Sequence, residues 1–525
     1  MATDLKSRLI LAKNIKMDRN YNNVLSYTED EMLSLCQTNK VVEADNYSFI
    51  RTNQTILCGF NYEMCLQANY IAFQNPDYSN KWFFAWIDEV NYKGDNNTEI
   101  VYTIDSWSTW YDYWKPQTCF VAREHVNDDT IGVNTVDEGL NVGSYILAEN
   151  PTKILDDIND YIICMAVSEL PDESVPEVSS SRIYNGIYGG LIYIAFPTAD
   201  DCNKAIKMYD SQSKADAISY LFMIPKNLTS VLDGQKAQWT VGTVGTANVI
   251  YISSSNNSDN IVNLVGNMPS HVGKNYIPKN NKLYTFPYNF ANVTNNNGIT
   301  ENYRYEDFII DTSLGEKNFN FWLSATLCPG MSMLLIPLQY KNLNFNYEYA
   351  IQGAKLPICS WNSDVYINWL TNQSINIGTN MFNTIANTIE NPVSIVGNIA
   401  NQINSFYQAD LIPNQVKGNT NSGDVNFSEG LCGFSIYYMT IKDEYAKIID
   451  DYFTRFGYKI NRVKVPNITG RQNFNFVEIG SEDVIGYGTV PANYMDNINN
   501  ACRKGVTIWH NHSNLGNFNV SNNIV

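Results

Sequence analysis

The chain has 525 residues, enough for several domains, and its 53 acidic against 35 basic residues give a formal charge of −18. That balance argues against a protein that grips nucleic acid by its phosphates, which needs clustered Lys and Arg; it suits plain solubility, or a conduit to which a polyanion does not stick. Ten cysteines and four histidines are scattered without a CxxC pair, and an aromatic content of 13% favours a mainly β chain with a few helices.

In chain order, the N-terminus MATDLKSRLILAKNIKMDRN has too short and too charged an apolar stretch for a signal peptide. The expectation is a chain made in a reducing cytoplasm, with buried free thiols in LCGF (57–60), IICMA (162–166) and LCGFSIYY (431–438). WFFAWIDEVNY (82–92) and TEIVYTIDS (98–106) flank KGDNN and predict a long β-hairpin. The aromatics of WSTWYDYWKPQTCF (107–120) then read as a core or an inter-subunit surface on neighbouring strands. SELPDESVPEVSSSR (168–182) reads as an exposed linker or loop, YGGLIYIAFP as a strand, and CNKAIKMYDSQSKADAISYLFMIP as one or two helices. KLYTFPYNFANVTNNNGITENYRYEDFII (282–310) predicts strand, Asn-Gly hairpin, strand, and opens a second β-unit near residue 280. Near the end, KDEYAKIIDDYFTRFGYKI places Tyr445, Ile448, Ile449, Tyr452 and Phe453 at helical spacing before Gly457. PANYMDNINNACRKG is a short helix opened by Pro491 and closed by Gly505.

Chemistry-bearing motifs are scarce. WHNH would set His510 and His512 on one face of a strand, at the spacing of two metal ligands, but no third ligand is near in sequence. His125 has no Ser or Cys partner in a nucleophile motif, the Gly-rich NGIYGG precedes a strand rather than opening a helix, and the pair Asp156 and Asp157 reads as solvated surface. No cofactor is implied, and an enzymatic function has no positive support.

One segment stands apart. From Val365 to Ala409 the only charged residue is Glu390. On a helical projection Asn380, Asn383, Asn387, Asn391, Asn398 and Asn401 fall on one stripe about 80° wide, with Ser394 and Ser405. Phe382, Ile385, Ile389, Val393, Val396, Ile399, Ile403 and Tyr407 centre on the opposite side, and Pro392 predicts a kink. Three readings stay open: a core helix pair, a partner-binding helix, and a membrane-active segment whose amide stripes turn together toward water. Gly378 and Gly397 lie inside it, and PNQVKGNTNSGD (413–424), with Gly418 and Gly423, is a flexible exit.

ANYIAFQNPDYSNKWFFAWIDEVNY, YTIDSWSTWYDYW, FVAREHV and NTVDEGLNVGSY resemble the N-terminal half of the tail knob (distal tail tube) proteins of small short-tailed phages, the Salasmaviridae and other picovirus-type podoviruses. KLYTFPYNFANVTNNNG resembles that family's second tube-forming unit, and CSWNSDVYINWL the lead-in to its long hydrophobic loop. YFTRFGYKINRVKVPNITGRQNFNFV and ACRKGVTIWH look like its C-terminus.

The resemblance implies a mainly β (α+β) fold of tube-forming, β-barrel-like units in a ring-shaped homo-hexamer at the virion's tail tip. It implies a tube β-domain over 1–165 and a second tube domain over 281–365 and 425–525; residues 166–280 between them match no motif of the family and read, from their own strand and helix signals, as an inserted mixed α/β region. The loop maps onto 366–424, here richer in Asn and Ile than in Gly. Implied partners are other tail and collar proteins, genomic DNA passing through the lumen, and the host cytoplasmic membrane. On that reading Ile375, Ile377, Met381 and Phe406 join the apolar side above as membrane-active residues, and the four glycines act as hinges. A receptor-binding appendage or baseplate hub without membrane activity is the alternative, and a cell-wall-cleaving enzyme would need an acid or nucleophile set that is not recognisable.

Overall fold

The apolar runs RLILA, YIAFQ and WFFAWI become neighbouring strands whose residues point alternately into two cores. The computed structural model describes residues 7–45, 47–50, 54–74, 79–155, 160–178, 182–184, 187–188, 190–226, 234–252, 262–308, 318–324, 332–356, 358–360, 433–486 and 488–525. It divides into two compact units: Met1–Val142 with Pro278–Leu283 and Glu444–Val525, and Gly143–Ile277 with Tyr284–Asp443.

The first unit holds an antiparallel seven-stranded sheet in the order Lys40–Asp45, Arg8–Ala12, Tyr70–Gln74, Trp82–Gly94, Asn97–Ile104, Thr55–Cys58, Ser48–Ile50. Leu9, Leu11, Ile71, Phe73, Phe83 and Ala85 enter one core, while Ile10, Ala12, Tyr70, Ala72, Phe84 and Trp86 enter the other. A sheet covered on both faces needs both sets of side chains apolar, so the strands read as unbroken hydrophobic runs. Phe474 and Trp509 share the second core. They belong to a five-stranded sheet ordered Asn23–Leu25, Val506–Trp509, Phe474–Ile479, Cys119–Glu124, Tyr458–Lys464, in which the first pair is parallel. Segments more than 400 residues apart thus share one sheet.

The second unit has a six-stranded antiparallel sheet ordered Gln235–Thr240, Thr246–Ile252, Ile192–Phe196, Tyr161–Val167, Ile218–Pro225, Ile358–Ser360. The helix Ala199–Ser211 buries Cys202, Ala205, Met208 and Tyr209. Two further sheets are built around Phe434–Ile441 and Ser332–Tyr340. One continuous core joins all three.

Both long hairpins form, with Gly94 opposite Asn97 and Thr294 opposite Thr300, and both C-terminal helices form, as Asp443–Phe456 and Ala492–Lys504. Gly457 ends the first with φ +64°, where a Cβ would lie 2.1 Å from the Glu124 carbonyl oxygen. Other expectations are corrected. Residues 106–113 form a short helix and a 3-10 turn rather than strands, because the buried Asp105 carboxylate accepts from the Trp107 and Ser108 N–H groups and caps the turn. ISYLFMIP is a sheet strand, not a second helix, as its β-branched and aromatic residues allow. The stretch after Ser168 is a loop, as read, with Ser168, Glu169, Glu173 and Ser174 exposed; it is anchored by the buried Val175 and by Tyr251 Oη, which donates to the Pro176 carbonyl. Tyr458–Lys464 and Phe474–Ile479 pair with Cys119–Glu124, which sets these C-terminal strands in the first compact unit.

Candidate functional site

The whole apolar segment, including every membrane-active, stripe and hinge residue named above from Ile375 to Gly423, lies outside the described residues, as do Asp156 and Asp157. What is described are its two feet, both in the second unit. The outgoing chain runs through Ile351–Lys355, paired with Ser332–Tyr340, and through Ile358–Ser360, an edge strand on Ile218–Pro225. The returning chain enters at Gly433 and at once becomes the strand Phe434–Ile441, held on one side by Asn289–Thr294 and on the other by Tyr145–Leu147 and Thr152–Ile154. The feet stand together: a Cβ on Gly353 would lie 3.0 Å from the Phe434 ring, and Asn295 Nδ2 donates to the Gln352 carbonyl at 2.8 Å.

Gly433 is the tightest point. Its φ is +77°, and a Cβ there would lie 2.0 Å from the Ile154 carbonyl oxygen and 2.5 Å from that of Leu155. Backbone cannot yield as a flexible side chain can. Gly433→Ala should therefore lower stability by about 2 kcal/mol or more, measured as a drop in the urea midpoint, with faster amide exchange in Phe434–Ile441.

Beneath the feet the core is aromatic. Tyr303 and Phe321 meet edge-to-face at 4.9 Å, as do Phe319 and Tyr438 at 6.2 Å, and Phe308 and Tyr340 meet tilted at 4.8 Å. Such pairs contribute roughly 0.5–1.5 kcal/mol each beyond area burial. Glu306 borders this core and accepts from the Phe286 N–H at 3.1 Å. Burial pushes its carboxyl from 4.5 up to about 7. A raised acid binds a proton more readily folded than unfolded, so its contribution is full below pH 4.5 and is lost as pH rises through about 7. Glu306→Gln should remove that loss, visible as a difference between wild-type and variant Tm that changes across this window.

The first unit carries a buried ionic network that the sequence did not announce. Glu138, with a side chain 0% exposed, pairs with Arg123 and Lys282 and accepts from the Lys459 N–H at 2.9 Å. Arg123 also donates to the Gly457 carbonyl at 2.9 Å and lies over the Tyr452 ring. Lys282 sits over the Tyr458 and Phe453 rings; burial pushes its ammonium down, and Glu138 opposes this. Two more acids hold the same short segment: Asp450 accepts from the Lys279 and Asn280 N–H groups, and Asp129 from that of Asn281. Pro278–Leu283 is thereby tied into the unit by three carboxylates from elsewhere in the chain.

His125 and His510 are held by hydrogen bonds to structural partners. His125 Nδ1 accepts from the Phe476 N–H at 2.8 Å and Nε2 faces the Thr454 carbonyl at 3.1 Å. The strand Val506–Trp509 stops before His510, and His512 opens a 3-10 turn, so the two do not share a strand face. His510 instead bridges Ser26 Oγ at 2.7 Å and Asn475 Oδ1 at 3.0 Å, pinning the parallel edge strand. Among the described residues no three His, Cys, Asp or Glu side chains cluster to hold a metal ion, and no helix is long and apolar enough to cross a membrane.

Comparison with known proteins matches residues 251–523 to the family described as Bacillus phage phi29, Tail knob protein gp9, C-terminal domain, and residues 5–115 to the Caudoviral major tail protein N-terminus. The tail knob protein gp9 of Bacillus phage phi29 is 26% identical, over 87% of this chain and 88% of its own. That of Bacillus phage PZA is 25% identical, over 92% and 93%. The solved structure of the bacteriophage C1 tail knob protein, gp12, shares the fold at a TM-score of 0.63 and 14% identity, covering 99% of this chain and 100% of that one.

Proposed function

This chain belongs to the tail knob proteins of short-tailed phages, a structural component of the virion tail and not an enzyme, and we propose that it forms the distal tube through which the genome leaves. In this reading the chain assembles as a homo-hexameric ring. Residues 1–165, 281–365 and 425–525 build the tube, and 166–280 is an insertion. DNA passes without specific binding, which the formal charge of −18 favours by repulsion. Segment 366–424 plugs the lumen and, once released, helps penetrate the host cytoplasmic membrane. The carrying observation is the two-faced segment with Glu390 as its only charge between Val365 and Ala409. Its length exceeds the roughly 20 residues needed to span a bilayer. A lone copy would strand its amides in lipid, whereas several copies can turn Asn380, Asn387 and Asn398 toward a common wet interior.

The test is deletion of 366–424. Electron microscopy should still find six-fold rings, while dye leakage from liposomes under conditions that release the segment should be lost. Leakage that survives the deletion defeats the membrane role. Particles that bind cell walls but never leak dye favour a receptor-binding hub instead.

A further inference from the structure

The Asn-Gly hairpin of the second unit carries a chemistry that its turn role does not use. Its strands Asn289–Thr294 and Thr300–Tyr303 pair up to Thr294 opposite Thr300, leaving 295–299 as the connection. Asn295 organises that connection from inside. It is buried, and its Oδ1 accepts from the Asn297 N–H at 2.9 Å and from the Ile299 N–H at 3.0 Å. Its Nδ2 donates to the Gln352 carbonyl at 2.8 Å, on the strand that forms the outgoing foot. Asn297 and Gly298, by contrast, are exposed at the tip. Gly298 has φ +92°, and nothing stands within 4 Å of where a Cβ would be. Among the described residues, neither the Asn297 side-chain amide nor the Gly298 N–H takes part in the hydrogen bonds that hold the turn.

We propose that Asn297 is a modification site at which the chain converts its own side-chain amide to a carboxylate, with water as the co-reactant. The Gly298 nitrogen attacks Asn297 Cγ and forms a new N–C bond, closing a succinimide. The Cγ–Nδ2 bond breaks, and Nδ2 leaves as ammonia with the proton given up by Gly298. Water then opens the ring. Cleavage at Cγ leaves aspartate; cleavage at the Asn297 main-chain carbonyl leaves isoaspartate, whose backbone runs through an extra methylene. In sum, an amide and a water become a carboxylic acid and ammonia, with no oxidant or reductant. A side chain on the following residue would shield the attacking nitrogen, and glycine has none and turns freely. Asn96, exposed at the tip of the other hairpin, is followed by Asn97 and gives the contrast within the same chain. Either product adds a negative charge to the tip. Isoaspartate also lengthens the path between Asn295 and Ile299, which loosens the N–H groups that hold Asn295 and, through it, the clasp on Gln352.

The full-length protein is held at mildly alkaline pH, which favours the deprotonated amide nitrogen, and is sampled over days by tandem mass spectrometry of its peptides. Asn297 should appear as succinimide and then as aspartate and isoaspartate in most chains, while Asn96 stays an amide. An isoaspartate-specific methyltransferase should label the same peptide. In converted chains the Ile299 N–H should exchange faster with deuterium. Asn297→Gln should stop the conversion, because the longer side chain closes its ring far more slowly, and should keep Ile299 exchange at its initial rate. Asn297 surviving as long as Asn96 overturns the proposal, and so does conversion of Asn295 or Asn296 in its place. Unchanged Ile299 exchange in converted chains overturns the link to the foot. The wild-type peptide map decides the site even if the variant fails to fold.

Discussion

Glu138→Ala should destabilise the first unit by about 3–5 kcal/mol. The substitution leaves two cations without their common anion: the Lys282 side chain is 3% exposed and that of Arg123 10%. Burial already pushes the Lys282 ammonium down, and the variant removes the opposing charge. The Lys459 N–H also loses its acceptor. Glu138→Gln keeps an acceptor oxygen and should lose less. The measurement is the urea midpoint of the full chain, together with amide exchange at Lys459, which should accelerate most in Glu138→Ala. A triple replacement of Arg123, Glu138 and Lys282 by apolar residues of similar size should be milder than Glu138→Ala alone, since no charge is then left unpaired. Equal midpoints for wild type and Glu138→Ala would mean that the network is solvated.

Acid should weaken the same unit through His125. Its ring is buried, with the Arg471 cation nearby, and these push its pKa from 6.5 down to about 3. The hydrogen bonds give the physical reason: Nδ1 must stay unprotonated to accept from the Phe476 N–H, while Nε2 carries the proton facing the Thr454 carbonyl. A proton on Nδ1 would set two donors against each other. Because the folded value is depressed, the contribution is present above pH 6.5 and is lost as pH falls toward 3. The full effect is on the order of 4–5 kcal/mol. The check is Tm against pH for wild type and His125→Gln. The variant should be weaker at neutral pH and show a flatter acid limb, and parallel curves would remove His125 from the acid response. This slope is opposite in sign to that of Glu306, so the two variants separate the contributions.

How much was legible depended on how local the cause was. WFFAWI announced a strand because its aromatic run needs no distant information; that both its faces are buried was settled by the two cores its alternate residues enter. Gly457 announced a helix end for the same kind of reason. The aromatics after Asp105 were misread as strands because a single buried carboxylate capping the next turn outweighs β-propensity. Of the candidate site, the segment's two-faced pattern was readable, but not the place where its feet stand. Nothing in LCGFSIYY says that Gly433 will meet the carbonyls of Ile154 and Leu155, since that close approach is made by another segment. PKNNKL carried no pattern at all, since its three acidic partners lie at 129, 138 and 450.

The sequence by itself determined the mainly β character, the hairpins and C-terminal helices, the scarcity of catalytic motifs and the uncharged two-faced segment, all of which follow from composition, periodicity and turn chemistry within short windows. Only the tertiary structure decided that Asn23–Leu25 joins Val506–Trp509, that Pro278–Leu283 is held by buried carboxylates, and that the feet of the segment share one core. Those outcomes rest on pairings between residues far apart in the chain, where a burial cost at one position is offset by a partner that no local window contains.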